Sequence, residues 1–355
     1  MTIGSFIYQS SPQRIVFGAG TLARLPEEAA RLGLKHILVL STEGHRKQAD
    51  DAGSLLGSAC AGVFAGARMH TPVEVTEAAM AIVREQGIDA TVAIGGGSTT
   101  GLGKAIALRT DLPQIVVPTT YAGSEMTNIL GETAAGAKKT TRDPKVLPEV
   151  VIYDVDLTLT LPPSLALTSG MNAIAHAVEG LYANNGNPVL SLMAEEGIRA
   201  LATALPRIKA DHIDREARSD ALYGAWLCGM VLAGTTMALH HKLCHVLGGS
   251  FELPHAETHA IVLPQAVAYN ADAAPEAMKR IAHALGGGDP AQALFDLERQ
   301  AGGPTALRDI GMPQSGLDRA ADLAIADPYW NPRPVDRAGV RALLDDAWHG
   351  RRPHS

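Results

Sequence analysis

The chain has 355 residues, enough for two domains, and 46% of them are hydrophobic while only 4% are aromatic, so Ala, Leu, Val and Gly must do the packing. A formal net charge of −7 argues against nucleic acid as a partner, and no run of about 18 apolar residues offers a membrane span. The N-terminus lacks a basic-then-apolar leader pattern, and three cysteines without a CxxC pair (Cys60, Cys228, Cys244) suit a cytoplasmic location.

The first half alternates β-branched runs with amphipathic stretches, the pattern of βαβ units. Arg14 to Phe17 reads as a strand, followed by Gly18-Ala19-Gly20 and a helix from Leu22 to Leu32. His36 to Leu40 and Ala61 to Phe64 read as strands, and Val73 to Gln86 as a helix. Ala90 to Ile94 runs straight into Gly95-Gly96-Gly97-Ser98, and Gln114 to Pro118 runs into Thr119-Thr120-Tyr121-Ala122-Gly123-Ser124. Strand ends that open into such small-residue loops are where doubly wound sheets bind nucleotides.

After Val150 to Asp154 the character changes. Leu161-Pro162-Pro163 punctuates, β-branched runs become rare, and Ala/Leu-rich helical periodicity takes over. These marks place a boundary near Asp156, giving an α/β nucleotide-binding domain over 1–156 and a helical catalytic domain over 157–355. Ile261-Val262-Leu263 is too short to assign.

The glycine turn before the Lys104 helix suits a pyrophosphate: glycines let the backbone approach, and helix-start N–H groups favour anions. It is no P-loop, because Ala105 follows Lys104 where a magnesium-binding hydroxyl would stand. Strand two ends in Ser41-Thr42-Glu43 without an Asp directly at its end, so NADH and NADPH both remain open. The basic run Lys138 to Lys145 reads as either a solvated loop or a cofactor or carboxylate contact.

In the second half, Ser169 is a candidate cap for a helix carrying Asn172 and His176 four residues apart on one face. His240, His241, His245, His255 and His259 follow within twenty residues, with His255 after Pro254 in a loop. Such clustering points to a metal or proton-transfer site. His241 and His245 share a helical face, while His240 is about 100° around and should point elsewhere. In Asp327 to Pro334, a rigid loop packed on the helices competes with a pocket wall whose Arg333 holds a carboxylate.

Taken together, GGGS at Gly95, PTTYAGSE at Pro118, DPKVLPEVVIYD at Asp143, GMNAIAHAVEGLYA at Gly170 and the histidine block resemble the iron-containing (group III) alcohol dehydrogenase superfamily over essentially the whole chain. PTTYAGSEMT, the Asn172 helix and YWNPRPV at Tyr329 look most like its maleylacetate-reducing branch. The resemblance implies an α/β domain and an all-α domain with the site between them. It also implies a cytoplasmic homodimer that uses NADH or NADPH to reduce maleylacetate, in aromatic and chloroaromatic breakdown.

By that resemblance Gly96, Gly97, Ser98, Thr119, Thr120 and Lys138 bind the cofactor. In metal-dependent relatives an Asp and three His hold the cation; the positions here are Asn172, His176, His241 and His255, and His245 is a further active-site histidine. Asn172 removes the one negative charge of that set, which implies a site that works without bound iron or zinc. His241 and His245 are then expected as hydrogen-bond and proton donors, His176 and His255 as pocket walls, and Tyr121, Arg333 and Asn172 as substrate contacts. A metal-dependent alcohol or polyol dehydrogenase, a lyase that recycles NAD within each turnover, and a non-catalytic nucleotide binder are the competing expectations.

Overall fold

The structure is a computed structural model that describes residues 5–134 and 137–354. It divides into two compact units, Ser10–Leu161 and Pro162–Ser355, the latter joined by the N-terminal segment to Gln9.

In the first unit the strands are β1 (Arg14–Gly18), β2 (Ile37–Leu40), β3 (Cys60–Phe64), β4 (Ala90–Gly95), β5 (Gln114–Pro118), β6 (Ile129–Ala134), β7 (Ala137–Arg142) and β8 (Val150–Asp154). Its helices are α1 (Leu25–Arg31), α2 (Arg46–Leu56), α3 (Val73–Gln86) and α4 (Gly97–Thr110). Six strands form one parallel sheet in the order β1-β8-β5-β4-β2-β3. Alternate strand residues face opposite sides, as a pleat requires. Ile37, Val39, Val92 and Ile94 pack with α1 and α2 residues, whereas Leu38, Leu40 and Ala93 pack with α3 and α4 residues. Because β3 and β4 lie on opposite sides of β2, the chain reverses direction there, and β4 opens its glycine turn at that switch point.

Two features differ from expectation. The basic run is strand up to Arg142 and a 3-10 turn from Pro144: β6 and β7 pair antiparallel, with Glu132 opposite Lys139 as an opposite-charge pair. The unit also extends past Asp156 to Leu161, because a short 3-10 helix at Val155–Thr160 packs Leu157 against the sheet core.

The second unit comprises α5 (Pro163–Leu181), α6 (Pro188–Ala210), α7 (Arg215–Gly234), α8 (Leu239–Phe251), α9 (His255–Asn270), α10 (Pro275–Ala284), α11 (Pro290–Ala301), α12 (Leu317–Ile325) and α13 (Arg337–His349). Among the described residues, no single helix is long and apolar enough to cross a membrane. Ser169 is no cap. The helix starts at Pro163, whose fixed φ and missing N–H suit a first turn, and Ser169 Oγ donates to Leu165 O at 2.6 Å inside it. Small residues let α5 run buried through this unit: a Cβ at Gly170 would come within 2.8 Å of Leu205, and one at Gly180 would collide with Val231. Ile261-Val262-Leu263 belongs to α9, where a buried helix needs apolar residues on every side.

Candidate active site

The helical unit gathers its imidazoles around one carboxylate. α5 carries Asn172, His176 and Glu179 at helical spacing, and all three are buried. Glu179 Oε2 accepts from Ala238 N–H at 2.8 Å and from His241 Nδ1 at 2.7 Å, while Oε1 accepts from His240 N–H at 2.8 Å. Glu179 therefore occupies the open N-terminus of α8 and one of its histidines together. Burial raises its pKa, while the hydrogen bonds from His240, Ala238 and His241 oppose that shift. Three N–H donors fit the carboxylate form. Sequence reading missed this residue, although its position seven residues after Asn172 on the same face was a usable signal.

The partners assign the tautomers. A carboxylate only accepts, so His241 carries its proton on Nδ1, and its Nε2 is a buried lone pair with no partner. His240 Nε2 donates to His259 O at 3.0 Å, which leaves its Nδ1 as the acceptor lying 3.3 Å from His241 Nδ1. His240 thus points into the cluster and not away from it. The two consecutive rings sit 5.0 Å apart, drawn together by the Glu179 and His259 anchors.

His176 stacks on His241 with centroids 5.0 Å apart, and His245 lies 6.4 Å from His241. His255 opens α9 instead of sitting in a loop, with its ring 4.3 Å from that of His259. Burial, reinforced by neighbouring imidazoles, holds His176, His241 and His259 well below the ordinary histidine pKa and puts His240 at about 4. These four rings are neutral at pH 7. His245 is the exposed one.

A divalent cation suits this donor set. Asn172 Oδ1, His176 Nδ1 and His241 Nε2 are buried without partners, and His241 has a carboxylate on its other nitrogen, as metal-ligating imidazoles do. His176, His241, His255 and the Asn172 carbonyl could hold such an ion, with no anionic ligand among them. A different trio, His240, His241 and His259, brings ring nitrogens within 4.8 Å of one another. It suits a cation less well, because the acceptor nitrogen of His240, Nδ1, faces the protonated Nδ1 of His241 at 3.3 Å and not its open Nε2.

In the α/β unit, α4 starts at Gly97 with Gly96 as its N-cap and no side chain bonding the cap. A Cβ added at Gly97 would meet only open space, whereas one at Gly96 would come within 3.0 Å of Thr120 Cγ2. That bare helix start, with Ser98 beside it, is a fit for pyrophosphate oxygens. Thr119 joins the same corner: its N–H donates to Gly95 O at 3.0 Å, and its hydroxyl lies 3.2 Å from Nε2 of His45, a residue the motifs did not flag. Lys138 is placed by its backbone alone, opposite Thr133. Lys104 is turned away from any phosphate. Its Nζ donates to Ser124 O, Thr127 O and Ile129 O at 2.6–2.9 Å, and burial brings its pKa down to about 7.

The structure gives two of the expected substrate contacts their own surroundings. Tyr121 is fully buried in the α/β unit. Arg333 lies over the Tyr269 ring at 4.2 Å and donates to Tyr269 O at 3.2 Å, so its guanidinium fixes the Tyr329–Pro334 loop. In that loop Asn331 Oδ1 accepts from Leu239 N–H at 3.3 Å, at the start of the histidine helix.

Family models for iron-containing alcohol dehydrogenase match residues 12–155, and for the C-terminal part of the Fe-containing alcohol dehydrogenase family residues 166–348. The chain belongs to the iron-containing alcohol dehydrogenase family. This member is similar to maleylacetate reductase of Sphingobium indicum, 55% identical over 98% of this chain and 99% of that protein. A Rhizobium maleylacetate reductase is 54% identical over the same shares. The crystal structure of maleylacetate reductase from Agrobacterium tumefaciens superposes with a TM-score of 0.96 at 54% identity, covering 99% of this chain and all of that one (100%).

Proposed function

We propose that this iron-containing alcohol dehydrogenase family member reduces the carbon–carbon double bond of maleylacetate, giving 3-oxoadipate, in the bacterial breakdown of aromatic and chloroaromatic compounds. The observation that carries this is the full-length similarity to maleylacetate reductases from several bacteria. NADH or NADPH would supply the hydride, with its pyrophosphate at the Gly96-Gly97-Ser98 turn and Thr119-Thr120 beside it. A homodimer in the cytoplasm belongs to the same proposal.

The substrate is an enone with a carboxylate at each end. Hydride adds at the carbon β to the ketone, negative charge gathers on the ketone oxygen as an enolate, and a proton then joins the carbon between them. His241 is ill suited to donate that proton: its only N–H is held by Glu179, and burial opposes a second. Donation falls to His245, whose exposed ring can be reprotonated by water. The Nε2 lone pair of His241 could hold either a cation, with Asn172 Oδ1 as a second ligand, or a water that donates one O–H to Nε2 and turns the other to the enolate. Either occupant presents positive charge to that oxygen.

A bound divalent ion would polarise the ketone oxygen as a Lewis acid. Enolate formation asks less of that ion than ketone reduction does, and Asn172 lowers its hold, so turnover is proposed not to require it. The test is NADH oxidation with maleylacetate on chelator-treated, metal-analysed protein. Survival of activity supports the proposal. Activity restored only by added Fe²⁺ or Zn²⁺ overturns the metal-free part and favours the metal-dependent alcohol dehydrogenase alternative, which the unpartnered His241 Nε2 also suits. No net NADH consumption overturns the reductase.

A further inference from the structure

We infer that Glu179 is a positioning residue for this active site, the group that fixes which nitrogen of His241 is unprotonated and where it points. The inference concerns the histidine site under the proposed reductase activity, and its first readout does not depend on turnover.

A neutral imidazole left to itself interconverts between two tautomers of nearly equal energy, so a site that needs a lone pair at one nitrogen must impose it. Here the imposition comes from the α5 carboxylate. Glu179 Oε2 lies 2.7 Å from His241 Nδ1, and a carboxylate cannot donate, so the proton sits between them. His240 reinforces the choice. Its Nε2 is spent on His259 O at 3.0 Å, so the Nδ1 that faces His241 Nδ1 at 3.3 Å is also an acceptor. Two acceptors flank one nitrogen of His241, and the other nitrogen, Nε2, is left buried with no partner.

The same carboxylate fixes position as well as proton. By accepting from the backbone N–H groups of Ala238 and His240, both at 2.8 Å, it ties the first turn of α8 to α5. His176 and Asn172 lie on that same α5 helix, so one side chain registers the donors of one helix against those of the other. A glutamine of the same shape cannot replace it. Its single carbonyl oxygen can serve Oε2's two donors or Oε1's one, and its NH₂ group meets an N–H or the His241 nitrogen on the other side. Turned toward His241, that NH₂ would favour the opposite tautomer.

The experiment is ¹⁵N NMR of histidine-labelled full-length protein, with His241 assigned by comparison with His241→Gln, followed by the same spectra and steady-state kinetics on Glu179→Gln and Glu179→Asp. In the unsubstituted protein His241 is expected as the Nδ1–H tautomer; an Nε2–H signal there overturns the proposal even if no variant folds. In folded Glu179→Gln, the His241 pattern should become mixed or reversed, with kcat down about tenfold to a hundredfold and KM for NADH within about twofold. Glu179→Asp should recover part of both the tautomer and kcat, since the acceptor is kept on a shorter stem. A Glu179→Gln protein with normal kcat and an unchanged His241 spectrum, or with lowered thermal stability alone, would show that the carboxylate only props the helices. Absence of maleylacetate reduction in the unsubstituted protein would sink the reductase proposal while leaving the tautomer assignment standing.

Discussion

Asn331 and Asn270 exchange amide hydrogen bonds, Asn331 Nδ2 to Asn270 Oδ1 at 2.7 Å and Asn270 Nδ2 to Asn331 Oδ1 at 3.2 Å. Asn331 also donates to Arg333 O at 2.7 Å and accepts from Leu239 N–H. One amide thus binds the proline-rich loop to the end of α9 and to the start of α8. Asn331→Ala should destabilise the protein by roughly 1–3 kcal/mol, since Asn270 would lose its partner while buried. Thermal unfolding checks this; an unchanged midpoint would mean that the loop is held by the Tyr269 contacts to Arg333 and Pro334.

His245→Ala separates the proton donor from the rest of the cluster. Loss of a positioned general acid lowers turnover by about 10²- to 10⁴-fold. The expected result is a fall of that order in kcat for maleylacetate reduction, with NADH affinity measured by fluorescence titration unchanged. Near-normal turnover would remove His245 from the role.

Asn172→Asp restores the charge that the donor set lacks. Zn²⁺ or Fe²⁺ should bind at least about tenfold more tightly, because an anion joins three neutral imidazoles around a dication. Calorimetric titration of the two proteins gives the comparison. Equal affinities would show that the missing charge is not what governs metal binding here.

Gly96→Ala addresses the cofactor cradle. The new methyl would press on Thr120, only 3.0 Å from where it must sit, and would stand at the cap of the bare helix start. KM for NADH should rise about tenfold while the stability of the protein changes little. If KM is unaffected, the pyrophosphate is not at this turn.

Glu298 supplies a pH test away from the site. It is buried on α11, its Oε1 has no hydrogen-bond partner, and burial raises its carboxyl pKa well above the ordinary value. A raised acid pKa means that the native state binds the proton more tightly than the unfolded chain does. Its stabilising share is therefore complete below the unfolded pKa of about 4.3 and is lost as pH rises toward the native value. Glu298→Gln has no such loss, so its stability relative to the unsubstituted protein should grow with pH, by at most about 1.4 kcal/mol per pH unit. Urea unfolding at pH 5 and pH 8 measures it. A gap that narrows with rising pH would contradict the burial account.

Much of this molecule can be read along the chain. The strands at Ala90 and Gln114, the α3 helix, the glycine turn and the histidine block are local patterns, each specified by side chains within a few residues of one another. Even the family resemblance is a string of short segments in order. What the chain order conceals is every decision made by residues far apart. Ser169 looks like a cap until Pro163 starts the helix earlier. Arg333 reads as a guanidinium on a proline-rich loop, and nothing near it in the chain announces the Tyr269 ring on which it lies. His240 looks turned away until His259 O claims its Nε2. Glu179 reads as an ordinary polar residue on an Ala-rich helix, yet it sets the proton on a histidine 62 positions later. Which residues could make a site was local information; which nitrogen of His241 is left open depends on a carboxylate, a carbonyl and two helices meeting, and only the packed structure brings them together.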